Sequence, residues 1–370
     1  MRILLVLLLA LAARPALAQM SPDTVEALLR DRLEAGIEAG PAPGLSIAAQ
    51  LPGGDRVDAQ AGLADPRSGT SVDAQTRFLS GSTGKTIVAL VAVQLAEAGT
   101  LDLDAPVSTW LSDRPWWDRL ANADALTLRM LLNHSAGVPD YLEDLDFFLA
   151  GLTRGERGYT PDELVGFVAG DRADIEPGAG FSYSDTDYIL VGLIIEAATG
   201  EDFYSLARRE VIEPLGMAST EPLRGRSFDD LAAGHRRGLF GRSATARGGQ
   251  LKKNLDHEWT GGGWVTTPGD LATLYRSLGD GGPFAEEGAI MRAGLNAFDA
   301  AGTRGYGLGL YVRLYEDGHY RISHGGDFGG YRSAAIHDSR TGLTLAVQGN
   351  ARDFEAPDFA FTVMDALTAD

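Results

Sequence analysis

The sequence contains no cysteine among its 370 residues, and this absence excludes several kinds of chemistry. Disulfides, thiolate metal sites, a cysteine nucleophile and a lipid-bearing cysteine are all ruled out. The six histidines are dispersed along the chain, so we also expect no metal ion and no other cofactor. The stability of the folded chain must therefore come from its hydrophobic core, for which this length is sufficient.

Basic residues are few, and lysine is rare among them. The chain has 32 basic and 51 acidic residues, and the resulting net charge of -19 argues against nucleic acid as a partner. Lysine occurs only at positions 85, 252 and 253, so the other 29 basic residues are arginine. A lysine beside a possible nucleophile in such a chain therefore calls for a chemical reason.

Long apolar runs are absent after the first residues. Arg2 precedes an apolar run over 3–13, and Ala16 and Ala18 supply small residues before a cleavage point. This pattern predicts a signal peptide over 1–18 that is cut after Ala18. The run is too short for an ordinary transmembrane helix. We therefore expect a periplasmic or secreted protein, without stable membrane insertion after cleavage.

Hydrophobic patterns predict strands near both ends of the chain and mostly helices between them. At the two ends we expect helices over 22–39, 85–98 and 356–367 and strands over 44–51, 56–63, 306–314, 319–323, 331–337 and 343–348. In the middle we expect helices over 126–132, 161–169, 188–199, 203–211 and 268–278.

This order predicts an α+β fold with a single domain over 19–370. Residues 19–100 and 283–370 would form an α/β part, in which strands from both termini build one antiparallel sheet flanked by helices. Residues 101–282 would form an inserted, mainly helical part.

Ser82 and Lys85 are the first candidates for catalysis, in the segment SGSTGKT at 80–86. Residues three apart at the start of a helix lie on one face, so the hydroxyl and the amine can be neighbours. A serine hydroxyl needs a base to take its proton, and an amine can do so only when burial or a helix N-terminus lowers its pKa. Arginine could not serve, because its guanidinium stays protonated.

Two other interpretations of this segment remain open on sequence alone. Ser82 could simply cap the helix that follows. Gly84, Lys85 and Thr86 also match the end of a phosphate-binding loop, although Leu79 stands where that loop needs its first glycine.

Tyr183, Ser184 and Asp185 lie on a predicted loop before an apolar helix. Tyr183 could act as a phenolate base or a proton relay if a nearby ammonium lowers its pKa. The alternative is a half-buried tyrosine, with Asp185 as the cap of the helix expected near Tyr188.

His324, Gly325 and Gly326 end a predicted strand, where the glycines would let a substrate backbone approach closely. His324 can donate a hydrogen bond and gain charge as the pH falls. The alternative is a glycine-rich turn between two strands with His324 exposed. His134 lies among apolar residues and is expected to be structural.

In this order and at these separations, the three segments resemble the serine β-lactamase and penicillin-binding-protein superfamily. The resemblance covers about residue 24 to the C-terminus and includes the segments 101–107, 131–137, 213–217 and 261–264. It is closest to the branch of class C β-lactamases, D-aminopeptidases, D-alanyl-D-alanine carboxypeptidases and esterases. That branch uses Ser-x-x-Lys, Tyr-x-Asn and Lys- or His-x-Gly.

The resemblance implies a role for each candidate. Ser82 would form an acyl-enzyme, Lys85 would deprotonate or orient it, and Tyr183 would carry protons. The backbone N–H groups of Ser82 and Asp327 would form an oxyanion hole. His324 would hold the Tyr183 network or anchor the substrate.

Two departures from the family pattern affect the expected substrate. Asp185 replaces the usual asparagine, so a donor to a substrate carbonyl is lost and an amine-bearing group becomes more plausible there. His324 replaces a lysine, which weakens the permanent positive charge that would hold a β-lactam or peptide carboxylate.

The leading hypothesis is an exported serine hydrolase acting on an ester or a small amide, including D-amino-acid peptides. One rival hypothesis is a β-lactamase. Another is a weakly catalytic module that binds penicillin or cell-wall peptides.

Overall fold

The computed structural model describes residues 20–238 and 241–368, and the predicted signal peptide lies outside them. The α-helices of the described residues are α1 Pro22–Glu38, α2 Lys85–Glu97, α3 Ser108–Leu111, α4 Leu128–Leu132, α5 Leu145–Thr153, α6 Pro161–Val168, α7 Asp185–Thr199, α8 Phe203–Ala207, α9 Pro268–Ser277, α10 Ala285–Ala293 and α11 Ala356–Thr368. Within these residues, none of the helices combines the length and the apolar composition needed to cross a membrane.

The strands of the same residues are β1 Gly44–Gln50, β2 Arg56–Asp65, β3 Thr70–Ser71, β4 Phe78–Leu79, β5 Glu221–Pro222, β6 His235–Gly238, β7 Gly241–Ala244, β8 Ala246–Arg247, β9 Gln250–Leu251, β10 Trp264–Thr266, β11 Asn296–Ala297, β12 Arg304–Tyr306, β13 Tyr311–Leu314, β14 Tyr320–Phe328, β15 Tyr331–Asp338 and β16 Thr344–Gly349. In the described part of the chain, nine of them form one antiparallel sheet in the order β11-β12-β13-β14-β15-β16-β1-β2-β3.

The two ends of the chain meet in the middle of this sheet. Strand β1 pairs antiparallel with β16, and Ile47 lies opposite Val347. Helices α1 and α11 cover one face, where Leu29 and Met364 join Ile47 in one hydrophobic cluster. The predicted α+β fold, with one antiparallel sheet built from both termini and flanked by helices, is confirmed.

Helices α2 and α7 run through the interior of the molecule. Residues 85–93 of α2 and 185–195 of α7 are all buried, in keeping with helices that are apolar on nearly every side. Both helices belong to the largest hydrophobic cluster, which also takes in residues of α4, α6, α8 and α9. Their N-terminal ends therefore bring Lys85 and Asp185 into the protein interior.

The structure corrects three sequence-based expectations. The middle region contains short strands as well as helices, since β10 pairs with β4 and β5 and two small hairpins follow β5. The strand predicted over 306–314 is two strands, because Gly309 adopts a φ of 74° and the chain turns there. Strand β14 runs on through His324 to Phe328, so the interpretation of a glycine-rich turn with an exposed histidine is wrong.

Candidate active site

Ser82 lies on a tight turn, Gly81–Gly84, that leads directly into α2. Lys85 is the first residue of α2, and its Nζ donates a hydrogen bond to Ser82 Oγ at 3.2 Å. Gly84 precedes α2, and Ser80 precedes the turn, so the interpretation of Ser82 as a helix cap is wrong.

The surroundings of Lys85 also argue against a phosphate loop. Its side chain is fully buried, donates to the backbone oxygen of Gly261 at 2.6 Å, and forms an ion pair with Asp185. The backbone around Gly262 packs so closely on the turn that a Cβ at this position would lie 2.1 Å from the oxygen of Gly81. Lys85 is thus committed to protein groups and to Ser82 and is not available to a nucleotide phosphate.

The protonation state of Lys85 differs from the expectation. Burial acts to lower the pKa of the amine, but its neighbours, Asp185 foremost with Tyr183 and Glu258, together raise the pKa well above its usual value. Lys85 is therefore an ammonium at neutral pH. The expected lowering of its pKa is wrong because an ionised partner lies within hydrogen-bonding distance.

Two further carboxyl groups lie beside this pair. Asp140 Oδ2 accepts a hydrogen bond from the backbone N–H of Asp185 at 3.2 Å, and burial together with the charge of Asp185 raises the pKa of Asp140 to about 7. Burial is the main cause that raises the pKa of Glu258 well above its usual range, and the charge of Asp185 is the second. Asp185 is thus the carboxylate that pairs with Lys85, while burial favours the protonated form of Glu258.

No sequence pattern pointed to Asp140 or Glu258. Asp140 follows the segment 131–137, and Glu258 stands three residues before Gly261, so both adjoin segments that carried the family resemblance. Their closeness to these segments was the only sequence feature that could have pointed to Asp140 and Glu258. Acidic residues on loops are usually solvated, so nothing in the sequence distinguished these two from the others.

Tyr183 is brought next to this cluster. Its ring centroid lies 5.0 Å from Lys85 Nζ, and its hydroxyl is buried without a hydrogen-bond partner among the described residues. Burial raises the pKa of Tyr183, and the nearby Lys85 only partly offsets this effect. Tyr183 is therefore a neutral phenol, and the condition set for a phenolate base is not met.

His134 supports Tyr183 from behind. The two rings are in contact with centroids 4.2 Å apart and planes tilted by 39°, and His134 Nδ1 lies 2.9 Å from Asp187 Oδ2. Burial lowers the pKa of His134 well below its usual value and raises that of Asp187. The buried position of His134 agrees with a structural role, and its contact with Tyr183 was not foreseen.

His324 forms the opposite side of the site. Its Nδ1 lies 2.6 Å from the Gly325 oxygen, which can only accept, so Nδ1 carries the proton and Nε2 accepts from the Tyr306 hydroxyl at 2.8 Å. Burial lowers the pKa of His324 to about 3. The expectation that His324 gains charge in mildly acidic solution is wrong, because burial dominates and both ring nitrogens have neutral partners.

The glycines of β14 let this strand approach the Ser82 turn. A Cβ on Gly326 would lie 2.1 Å from the Ser80 oxygen, so only glycine fits at this position. A Cβ on Gly81 would lie 3.0 Å from the backbone nitrogen of Asp327. The amide of Asp327 is therefore adjacent to the turn that carries Ser82, while Gly325 packs against Pro357 on the other face.

These residues open onto one cavity of about 670 Å³, which we call the catalytic cavity. Its lining includes all the predicted site residues except the buried Lys85: Ser82, Tyr183, Asp185, His324, Gly325, Gly326 and Asp327. Positions more than a hundred residues apart in sequence are thus brought together. In residues 20–238 and 241–368, no group of three acidic or histidine side chains is placed to hold a metal ion.

Comparison with known proteins identifies the class. A family model described as Beta-lactamase matches residues 29–366. The chain therefore belongs to the Beta-lactamase family, within the serine β-lactamase and penicillin-binding-protein superfamily, and the resemblance inferred from the motifs is confirmed.

Two curated relatives and one solved structure illustrate the range of this family. The chain is 34% identical over 176 residues to esterase EstB of Burkholderia gladioli, and this match covers 44% of this chain and 44% of the esterase. It is 29% identical over 156 residues to a putative penicillin-binding protein, PbpX, of Bacillus subtilis, and this match covers 42% of this chain and 35% of PbpX. The chain thus matches less than half the length of either relative.

A solved structure matches over a much larger share of the chain. The D-stereospecific amidohydrolase from Streptomyces sp. superposes with a TM-score of 0.78 at 27% identity, and the match covers 93% of this chain and 98% of that one.

Proposed function

We propose that the protein is an exported serine hydrolase that cleaves esters or small amides through an acyl intermediate on Ser82. The observation that carries the proposal is the 3.2 Å hydrogen bond from Lys85 Nζ to Ser82 Oγ at the edge of the catalytic cavity. The export part rests on the signal-peptide pattern of residues 1–18. Similarity to an esterase and to a D-stereospecific amidohydrolase supports the substrate class.

The reaction would proceed in two steps. Lys85 first releases its ammonium proton to solvent. Ser82 Oγ then attacks the substrate carbonyl while its own proton passes to the neutral Lys85 amine, and the resulting oxyanion is held by the backbone N–H groups of Ser82 and Asp327. The intermediate collapses as the leaving alcohol or amine receives a proton through the Tyr183 hydroxyl. Water then attacks the acyl ester and loses a proton to the same groups, which releases the acid and restores Ser82.

Tyr183 suits the role of a relay rather than of a base. A neutral phenol can donate its own proton while it accepts another, and this hydroxyl has no competing hydrogen-bond partner among the described residues. It lies beside both the serine and the lysine, and these two neighbours partly counter the effect of burial on the pKa of Tyr183.

Asp185 would set both the activation of Lys85 and the choice of substrate. Lys85 must lose its proton before it can accept one from Ser82, and the carboxylate of Asp185 opposes that loss. An amine-bearing substrate that paired with Asp185 would weaken this hold and lower the pKa of Lys85. We therefore propose that substrates with a free amine near the scissile carbonyl are favoured.

The proposal disfavours β-lactams as main substrates. His324 stands where the family pattern has a lysine, and its pKa of about 3 keeps it neutral, so this position lacks the permanent positive charge that would hold a penicillin carboxylate.

A panel of substrates tests the proposal. The mature protein and Ser82→Ala are compared on p-nitrophenyl acetate, D-alanine p-nitroanilide, its N-acetylated form, a chromogenic cephalosporin and a fluorescent penicillin. We expect the ester and the free-amine anilide to be hydrolysed only by the wild type, with a loss on the order of 10³-fold or more in Ser82→Ala.

Other outcomes of the panel contradict particular parts of the proposal. Equal turnover by wild type and Ser82→Ala would show that Ser82 is not the nucleophile. Faster hydrolysis of the cephalosporin than of the ester would favour a β-lactamase. Penicillin labelling without turnover of any substrate would favour a binding module.

A further inference from the structure

Helix α5 presents an apolar stripe on its outer side. Leu145, Phe148, Leu149 and Leu152 follow the i, i+3, i+4, i+7 spacing of one helix face and are 66%, 61%, 49% and 63% exposed. A surface helix ordinarily turns such a face towards the core. Phe147 anchors the helix from its other side, where its ring lies 5.0 Å from that of Tyr141.

Part of this stripe lines a cavity of about 400 Å³, which we call the α5 groove. One wall consists of apolar side chains that include Phe148 and Leu152, and aromatic rings of His257 and Phe328 lie 5.5 Å apart deeper in the groove. The residues Leu145 and Leu149 of the stripe do not line it.

The lining of the α5 groove also carries positive charge. Arg352 there is paired with Asp327 at 3.0 Å. Arg236 and Lys253 also line the groove, and neither forms an ion pair with any residue of the described ranges. In a chain with a net charge of -19, these two cations lie in the same cavity as the exposed apolar side chains Phe148 and Leu152. They favour a ligand that combines an apolar body with an anionic end.

The α5 groove adjoins the catalytic cavity. Asp327 lines both cavities, and its backbone nitrogen lies next to the turn that carries Ser82. The turn Asp256–Gly261 connects them a second time, because its His257 lines the groove and the oxygen of its Gly261 accepts the hydrogen bond from Lys85. A substrate bound at Ser82 can therefore extend into the groove.

We propose that the α5 groove binds the acyl portion of the substrate, as an apolar chain of medium length that ends in a carboxylate. The chain would lie along Phe148 and Leu152, and the carboxylate would pair with Arg236 and Lys253. This inference rests on the proposed acyl-Ser82 chemistry and names the kind of acyl group that it accepts.

Three esters and matched variants test the α5 groove. The esters are p-nitrophenyl acetate, p-nitrophenyl octanoate and mono-p-nitrophenyl suberate, which has the octanoate chain length with a carboxylate at its end. For the wild type we expect kcat/KM to rise about tenfold from acetate to octanoate and several-fold more, roughly fivefold, from octanoate to suberate.

Lys253→Ala should abolish the preference for suberate over octanoate and leave the ratio of octanoate to acetate unchanged. Leu152→Ser should lower the ratio of octanoate to acetate. The controls are Lys252→Ala, a neighbouring lysine whose Nζ donates to the backbone oxygen of Ala244, and Leu145→Ser, on the same helix but outside the groove. Both controls should keep the wild-type ratios.

Equal kcat/KM for the three esters, with normal Ser82-dependent hydrolysis of acetate, would overturn the groove proposal alone. Hydrolysis of acetate by Ser82→Ala would instead overturn the proposed function. A dimer in solution that both Leu145→Ser and Leu152→Ser dissociate, without any chain-length preference, would assign the stripe to a second copy and also overturn the proposal.

Discussion

The Lys85 side and the His324 side of the catalytic cavity are both buried, yet only the first carries charge. Lys85 has the Asp185 carboxylate within hydrogen-bonding distance, and this partner, together with other neighbours, offsets the cost of burying the ammonium. His324 has a backbone oxygen and a tyrosine hydroxyl as partners, and burial is the main cause of its lowered pKa. The difference teaches that the partner, and not the depth of burial, decides whether a basic group at this site is ionised.

The same comparison bears on the substrate. A negative group on the Lys85 side invites an amine, whereas a neutral imidazole on the other side offers little to a carboxylate. A carboxylate on the substrate would instead be attracted to the α5 groove, which Arg236 and Lys253 line.

The largest effect in this comparison is expected for Lys85→Met. Without the amine, Ser82 loses its proposed base, and kcat/KM for p-nitrophenyl acetate should fall about 10²- to 10⁴-fold. Removal of one partner of a buried ion pair should also lower the free energy of unfolding, by about 3 kcal/mol, as measured by urea denaturation.

Lys252→Met is the control for Lys85→Met, because it removes a lysine whose only described bond is to a backbone oxygen. A loss of activity of similar size in both variants would contradict a special role for Lys85. Unchanged activity in Lys85→Met would show that Ser82 has another base.

A smaller effect is expected on the neutral side, for His324→Asn. The pKa of His324 is about 3 in the folded protein, well below its ordinary value near 6.5, so between these values the unfolded chain binds a proton that the folded chain does not. Stability from this residue is fully present above pH 6.5 and decreases as the pH falls, by up to about 1.4 kcal/mol per pH unit.

Urea denaturation between pH 5 and 7 measures this slope. We expect the free energy of unfolding to fall less steeply with acid in His324→Asn than in the wild type. Equal slopes would mean that His324 has the same pKa in the folded and the unfolded chain, and the contrast between the two sides would then fail.

Local sequence patterns were sufficient to predict much of the fold. The apolar helix after Ser82 and the strands near both ends follow from periodicity and turn residues, and the observed bounds differ from the expected ones mostly by one to three residues. Periodicity could not show that β14 continues through Gly325 and Gly326, because glycines in a strand usually mark its end. Here Gly326 is required by the close approach of the Ser80 oxygen, and Gly325 by the packing of Pro357 on the other face.

The candidate site was only partly predictable for a different reason. Ser82, Lys85 and Tyr183 belong to motifs with a fixed order, and their chemistry could be stated from residue types. The charge of Lys85 depends on Asp185, one hundred positions away, and on Glu258, which belongs to no motif. Only the folded chain brings these carboxyl groups together, so the direction of the pKa shift could not be derived in advance.

The pH dependence of kcat/KM in Asp185→Asn tests the central claim most directly. An amide at position 185 removes the negative charge, so burial would lower the pKa of Lys85 and the acidic limb of the profile for p-nitrophenyl acetate should move to lower pH by at least about 1 unit. Asp171→Asn, at an exposed position, should keep the wild-type profile. An acidic limb in Asp185→Asn at the wild-type pH or above it would contradict the claim that Asp185 holds Lys85 as an ammonium.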